Sequence, residues 1–343
     1  MFLHWFKKRG INNLAGLDIN SESLKLLKIN STQFPYQVEN FSIVSLPSGV
    51  IHKNEIKEMN VAGEALKDLV HSSDLKTKNV AISIPKSSTI TKTITVDHRL
   101  TPDEIESRAW IEANRHFPDL VGDIHLDFAI LGPSVEERSQ LELLLIACRK
   151  EQLKPYFELL KLAGLTAKIV DVHNYALERA LSVITDKAQP LKTIASLNLD
   201  FDLSTLIVSN ENNLIYAHDQ SFDGHRLTAQ TQKFLEDQKS LTPANEASYM
   251  SILKESMGAH LRHTMHFFYS SRPNVSIQKV FLNGDCALIP KLGLFIQEEL
   301  GIETCVTNPF NQMEIATSVN KEELQKSAPR LMLCCGLALS KIK

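Results

Sequence analysis

Apolar positions in the first 85 residues come in short runs separated by polar turns. Residues 14–19 and 23–29 flank the trio Asn20-Ser21-Glu22, and the second run alternates loosely at Leu24, Leu26, Leu27 and Ile29. Such spacing predicts a hairpin. Residues 34–44 predict a third strand, ended by Pro47-Ser48-Gly49. Val61, Ala65, Leu66 and Leu69 have helical spacing within 61–70, and 79–84 is a run of buried-strand type. The opening segment therefore predicts the order β-β-β-α-β.

Thr101-Pro102-Asp103-Glu104 then offers an N-cap threonine, a proline at the first helical position and a glutamate to close a capping box. Ile105, Ala109, Ala113 and Phe117 follow on one face, and Phe117-Pro118 ends that helix. Strands are predicted at 126–131 and 141–148, flanking a loop at 132–139, then a helix at 151–163 with Gly164 just past its end. A short strand at 169–172, a helix at 175–184 and a linker at 186–191 complete the first half. The pattern restarts with strands at 193–199, 204–208 and 214–217, and helices around 225–235 and 250–268. A strand at 280–282, the turn Asn283-Gly284-Asp285, a helix at 290–300 stopped by Gly301 and an apolar helix at 331–339 close the chain. Two halves with the same order of elements, each opening on a polar-tipped hairpin, form a topological repeat.

A length of 343 residues suits roughly two domains. The 43% hydrophobic and 22% charged content is that of a globular chain. A net charge of -3 excludes a general nucleic-acid binder. No apolar run approaches the roughly 18–20 residues of a membrane span. The cysteines at 148, 286, 305, 334 and 335 include no Cys-x-x-Cys pair, which predicts reduced cytoplasmic thiols. At the start, Phe2, Leu3, Trp5 and Phe6 precede Lys7, Lys8 and Arg9, the reverse of a secretory signal. That stretch reads as a frayed tail or a weak interfacial contact, too short to anchor the chain.

Polar hairpin tips facing one another across a cleft can hold a nucleoside triphosphate. Turn N–H groups and hydroxyls form a concave anion site, and a carboxylate can hold Mg2+ through water. The first tip carries Asp18, Asn20, Ser21, Ser23 and Lys25; the second carries Asn198, Asp200, Ser204 and Thr205. Such tips are also ordinary hairpin turns, and the chain has neither a Walker-type loop nor Gly-x-Gly-x-x-Gly. His260, His263 and His266 recur every three residues but drift around a helix, which argues against zinc. Cys334-Cys335 reads as packing. Glu112 and Asp171 fit an acid or base role and equally a cap or an ion pair. No Ser/His/Asp or Cys/His nucleophile arrangement has motif support.

The run Gly16-Leu17-Asp18-Ile19-Asn20-Ser21-Glu22-Ser23-Leu24-Lys25-Leu26-Leu27 resembles the opening phosphate motif of the PilM family of type IV pilus assembly proteins. Further matches run in order: Ile111-Glu112-Ala113 through Phe117-Pro118, Ala147-Cys148-Arg149-Lys150-Glu151, Ala163-Gly164-Leu165 through Val170-Asp171-Val172, and Ala176-Leu177-Glu178-Arg179-Ala180. The carboxyl half adds Phe222-Asp223-Gly224-His225-Arg226-Leu227-Thr228, Phe267-Phe268-Tyr269-Ser270-Ser271 and Phe281-Leu282-Asn283-Gly284-Asp285-Cys286-Ala287-Leu288-Ile289-Pro290. Asn308-Pro309-Phe310 and Cys335-Gly336-Leu337-Ala338-Leu339 complete a similarity spanning about residues 10–341.

The resemblance implies an α/β, actin-like ATPase fold of the FtsA type, with two sheet-centred lobes, an inserted small subdomain and a nucleotide cleft between the lobes. Expected boundaries are 1–86 for the start of the first lobe, 87–162 for the insert and 163–190 for the return and crossover. They continue as 191–220 for the second lobe core, 221–275 for its helical subdomain and 276–343 for the return to that core. ATP with Mg2+ is the implied ligand, held by the two tips with Asn283, Gly284 and Asp285, and with Asp18 and Asp200 toward the metal. The implied role is a cytoplasmic scaffold peripheral to the inner membrane. It would bind the N-terminal cytoplasmic peptide of the single-span protein PilN between insert and first lobe. Other platform proteins and motor ATPases would be met indirectly, nucleic acid not at all, and a homo-oligomer is compatible with this role.

Three departures bear on the chemistry. Asn20 stands where the family usually has glycine, and asparagine tolerates a positive φ, so the turn is expected to survive. Asn198-Leu199-Asp200 stands where the family reads Asp-Ile-Gly, exchanging a metal-facing carboxylate for an amide and a glycine for a carboxylate. Asn283-Gly284-Asp285 keeps one glycine of a usual pair. Two like charges about 4 Å apart at an effective dielectric near 20 repel by roughly 4 kcal/mol. Nucleotide binding is accordingly expected to be weak or lost, metal-dependent where it occurs, and followed by slow hydrolysis at most. On this reading Asp200→Gly tightens ATP and Asp18→Ala impairs it. The alternative is a catalytically active actin-like ATPase or sugar-kinase-type phosphotransferase, which needs intact metal and phosphate contacts. For the peptide, the expected strand edges are 79–84, 126–131 and 141–148, and removing 87–162 is expected to abolish binding.

Overall fold

The computed structural model describes residues 14–116, 122–134, 137–184, 191–211, 213–238, 241–242 and 244–340. The aromatic and basic start, the Phe117-Pro118 helix stop and the 186–191 linker lie wholly or mostly outside the described residues. The first half runs β1 (Ala15–Ile19), β2 (Ser23–Asn30), β3 (Gln37–Ser45), a minute hairpin β4 (Ile51–His52) and β5 (Glu55–Ile56), α1 (Met59–Ser72) and β6 (Asn79–Ile84). It continues with β7 (Ile90–Asp97), α2 (Pro102–His116), β8 (Ile124–Pro133), β9 (Gln140–Arg149), α3 (Lys150–Leu162), β10 (Thr166–Val172) and α4 (His173–Ile184). The second half holds β11 (Thr193–Leu199), β12 (Leu203–Asn210), β13 (Asn213–Ser221), α5 (Gly224–Gln238), α6 (Glu246–Ser271), β14 (Lys279–Asn283), α7 (Leu292–Leu300) and β15 (Glu303–Val306). Last come β16 (Glu314–Ile315), α8 (Lys321–Ser327) and α9 (Met332–Ala338).

Two mixed sheets repeat one design. The first has the order β10-β6-β1-β2-β3-β16 and the second β13-β12-β11-β14-β15. In each, the opening strand pairs antiparallel with the second and parallel with the strand after the helix, as β1 does with β2 and β6, and β11 with β12 and β14. Both central hairpins are buried on both faces, which explains their near-continuous apolar runs. On one face of the first sheet α1 and α3 pack Leu66, Leu69, Leu159 and Leu160 against Leu24, Leu26 and Ile82. On the other face α4 and α9 lie between the two sheets, joining Leu27 and Ile169 to Ile194 and Ile207 in one core. Beyond the second sheet, α5, α6 and α7 cover Leu197, Leu206 and Leu282.

A third sheet, β7-β9-β8, carries α2 on a small core of Ile94, Ile105, Ala109 and Leu143. The predicted capping box forms: the Thr101 N–H donates to Glu104 at 2.8 Å and the Glu104 N–H donates to the Thr101 hydroxyl at 3.4 Å. Strand β7 is an addition to the expected elements, although Ile90, Ile94 and Val96 alternate with threonines there. The expected insert 87–162 takes in parts of two cores: β7, α2 and β9 share the small one, whereas its last helix, α3, buries Leu153, Tyr156, Leu159 and Leu160 in the first-lobe core. The expected return of 276–343 to the second lobe also divides. β14 and β15 join the second sheet, whereas β16 pairs with β3 of the first, and α9 packs on β1 and β2.

Candidate functional site

The two hairpin tips and the turn after β14 meet at one place between the sheets. Lys25, fully buried at the cleft end of β2, lies between two carboxylates: its Nζ is 2.9 Å from Asp18 Oδ2 and 2.8 Å from Asp285 Oδ2. Asn20 Nδ2 donates to the same Asp285 oxygen at 2.8 Å, and Arg330 Nε donates to Asp285 Oδ1 at 2.7 Å. The Asp285 N–H donates to Asp200 Oδ1 at 3.1 Å, and Asn198 Nδ2 donates to Asp200 Oδ2 at 2.6 Å. Asp18, Asn20, Lys25, Asn198, Asp200 and Asp285 are thus brought together as the sequence led us to expect. They are joined, however, to one another.

Local structure makes this geometry. Asn20 does not take the positive φ expected of it. Its side chain holds the turn instead, Oδ1 accepting the N–H groups of Ser23 at 2.9 Å and Glu22 at 3.1 Å. Gly284 takes φ +92, and a Cβ there would stand 2.5 Å from the Leu199 carbonyl oxygen, so only glycine lets the Asp285 turn lie against the β11 end. The Gly284 N–H donates to the Pro329 carbonyl at 3.0 Å, which brings Arg330 to the cleft. Sequence reasoning missed Arg330, because nothing in its spacing separates it from the apolar run that follows. Other expected residues are otherwise engaged: Ser23 Oγ donates to Asn20 at 3.3 Å, Thr205 Oγ1 to Asp219 at 3.0 Å, and Asn283 Nδ2 to Ser196 at 2.7 Å. Ser21 is buried in the first tip, and the Ser204 hydroxyl is buried without a hydrogen-bond partner.

Electrostatics follow from burial and pairing. Burial opposes the charge of Lys25, but Asp18, Asp285 and Asp200 together hold its pKa above the usual lysine value. Burial raises the Asp285 carboxyl, and Lys25 and Arg330 overcome that and hold it below the usual range. Asp200 has no comparable partner. Burial, with help from Asp285 and Asp18 and against the pull of Lys25, pushes it up to about 7. A carboxyl with a raised folded-state pKa adds stability in full below its unfolded value, and that stability is lost as pH rises through the folded value. Asp200→Asn keeps an acceptor for the Asp285 N–H, and Asn198 can turn its amide oxygen to the new donor. The variant should therefore gain roughly 2 kcal/mol on the parent between about pH 5.5 and pH 8. Thermal melts at the two pH values check this; a gap independent of pH contradicts it.

The donor set does not fit a magnesium triphosphate. Asp18 and Asp200, expected toward metal, are engaged by Lys25 and by Asn198 with the Asp285 N–H. Among the described residues no group of three or more His, Cys, Asp and Glu could hold a metal ion. The other candidates are structural. His260 packs against the Phe222 ring, centroids 4.8 Å apart and tilted by 46°, and burial lowers its pKa to about 4. Glu112 is paired with Arg108 and Arg115 at 3.0 Å each, and Asp171 with Arg179 at 2.9 Å. Cys334 and Cys335 are free, buried thiols in the α9 core.

A second concavity lies between the first lobe and the insert. It is a groove of about 430 Å³, lined by Leu165, Ala167 and Val170 of the β10 segment, Ile146 and Cys148 of β9, and Leu153 and Phe157 of α3. That volume is in the range of ligand pockets. Among the described residues strand β10 is the edge of the first sheet, paired only with β6, and Lys168 interrupts its register. The expected edge at 79–84 is therefore corrected: β6 lies between β10 and β1, paired along its whole length with β10 and through Val80 and Ala81 with β1. His125 also lines the groove, where burial first, then Lys150, lowers its pKa to about 4, so its imidazole is neutral near pH 7 and Lys168 is the charged group of the lining.

Among solved structures, the chain resembles the PilM-PilN type IV pilus biogenesis complex at 22% identity and a TM-score of 0.74, over 95% of this chain and 98% of that one. Ethanolamine utilization protein EutJ from Carboxydothermus hydrogenoformans matches at 12% identity and 0.49, over 95% and 88% of the two chains. MreB 5 of Spiroplasma citri, solved with AMPPNP, matches at 9% and 0.45, over 94% of each. No described helix is long and apolar enough to cross a membrane. The family model for type IV pilus assembly protein PilM matches residues 16–342, and the chain belongs to that family.

Proposed function

We propose that this chain is an actin-like scaffold of the type IV pilus inner-membrane platform, and that it grips the N-terminal cytoplasmic peptide of PilN. Family membership and the fold shared with the PilM-PilN complex support the reading. The observation that carries it is the apolar groove beside the edge of β10 that no other described strand covers. An extended peptide entering there adds a strand to the first sheet through main-chain hydrogen bonds and sets alternate side chains against Leu165, Ala167, Ile146 and Phe157. Ordering a free tail is costly, so affinity should be on the order of micromolar or somewhat better. The same contact would hold the chain at the cytoplasmic face of the inner membrane as a peripheral protein.

Hydrogen exchange tests the location. Adding the PilN peptide should slow exchange at β10 amides within Thr166–Val172 by about tenfold or more, with little change in β12 or β13. Protection elsewhere, with β10 unaltered, would remove the assignment. Excising 87–162 is not a clean test, because it takes α3 out of the first-lobe core.

A further inference from the structure

A triphosphate needs donors that are free to receive it, and most donors of this cleft, both of its cationic side chains among them, are already engaged by its own carboxylates and Asn20. Lys25 is shared by Asp18 and Asp285, and Arg330 is taken by Asp285. The Asp285 N–H is taken by Asp200, the Glu22 and Ser23 N–H groups by Asn20 Oδ1, and Asn20 Nδ2 by Asp285. Of the hydroxyls in the tips, that of Ser204 is buried and unpaired and that of Ser21 lies in the first turn, two weak neutral donors against three carboxylates. These bonds also tie the lobes together, since Asn20 and Lys25 belong to the first sheet and Asp285 follows β14 of the second. At the rim the Lys53 N–H donates to Asp202 at 3.3 Å, and His225 lies 3.5 Å from Glu22.

We propose that this chain holds its interlobe cleft closed with its own charges and takes no magnesium nucleoside triphosphate, the Asp285 carboxylate between Lys25 and Arg330 filling the place of a phosphate. The inference rests on the actin-like scaffold reading, whose cleft it concerns. A phosphate brought within about 4 Å of Asp285 or Asp200 loses about a thousandfold in affinity per carboxylate at an effective dielectric near 20. Asp200→Gly alone does not restore binding, contrary to what the sequence suggested, because Lys25 and Arg330 stay paired to Asp285. The closed state, and with it the spacing of the lobes, then exists in every nucleotide condition.

The test combines a titration with an exchange measurement on the full chain without peptide. Methylanthraniloyl-ATP in excess magnesium should give no saturable fluorescence change with the parent or with Asp200→Gly up to millimolar nucleotide. Asp285→Ala should speed amide exchange in the Asp18–Lys25 hairpin by about tenfold or more while far-UV circular dichroism is retained. Should that variant not fold, Asp285→Asn keeps the shape, removes the charge and should speed the same amides. Saturable binding by the parent overturns the proposal. So does a hairpin equally protected in a folded Asp285 variant, which would mean that other contacts close the cleft. Neither arm contains PilN peptide, so a failed peptide titration leaves this result standing, and the reverse holds.

Discussion

Lys25→Met should cost the chain about 3–5 kcal/mol, the largest loss expected from any single side chain of the cleft. The methionine stem fills the volume of the lysine stem, so the effect reports charge and not packing. Without the ammonium, Asp18 and Asp285 face each other across a buried space, with Arg330 left to compensate one of them. One carboxyl must then take up a proton, which is harder as pH rises, so the deficit grows from about pH 5.5 to pH 8. Denaturant titrations at both pH values measure it, and a midpoint within error of the parent at pH 8 would show that the network contributes nothing.

Gly336→Ala should be almost as damaging for a steric reason. A Cβ at this position would stand 1.8 Å from the Ala176 carbonyl oxygen and 2.5 Å from its carbon, both backbone atoms of α4. The pair of helices between the sheets can admit it only by moving apart, and Arg179, which donates to the Gly336 carbonyl at 2.6 Å, would be pulled with them. A loss of about 3 kcal/mol or more is expected. Gly258→Ala in α6 is the matched comparison: its nearest neighbour is the far end of Arg262 at 3.3 Å, and the helix interior should gain up to about 1 kcal/mol. Equal melting temperatures for the two variants would contradict the close approach.

Much of this architecture was legible in the sequence. The restart of the strand pattern near residue 193 reflects a real duplication, because both sheets use the same order around their opening hairpins. The Thr101 capping box and the left-handed Gly301 stop were also readable, since each is written within a few residues. What was hidden is long-range. Helix α3 looks in sequence like the end of an insert, yet its apolar face belongs to the first-lobe core. The departures at Asn198, Asp200 and Asp285 marked the cleft as altered, but spacing could not show that Asp285 meets Lys25 from 260 residues away, or that Arg330 joins it. The peptide site was expected between insert and first lobe at strand edges that included 79–84, and that segment is an interior strand, because strand order within the first sheet is set by the crossover through the insert.

Calorimetric titration of the PilN N-terminal cytoplasmic peptide into the full chain tests the scaffold function most directly. Saturable binding with a dissociation constant on the order of micromolar or below is expected, weakened about tenfold or more by Ala167→Trp, which fills the groove beside β10. No heat of binding at peptide concentrations far above that range, with the parent chain folded, would contradict it.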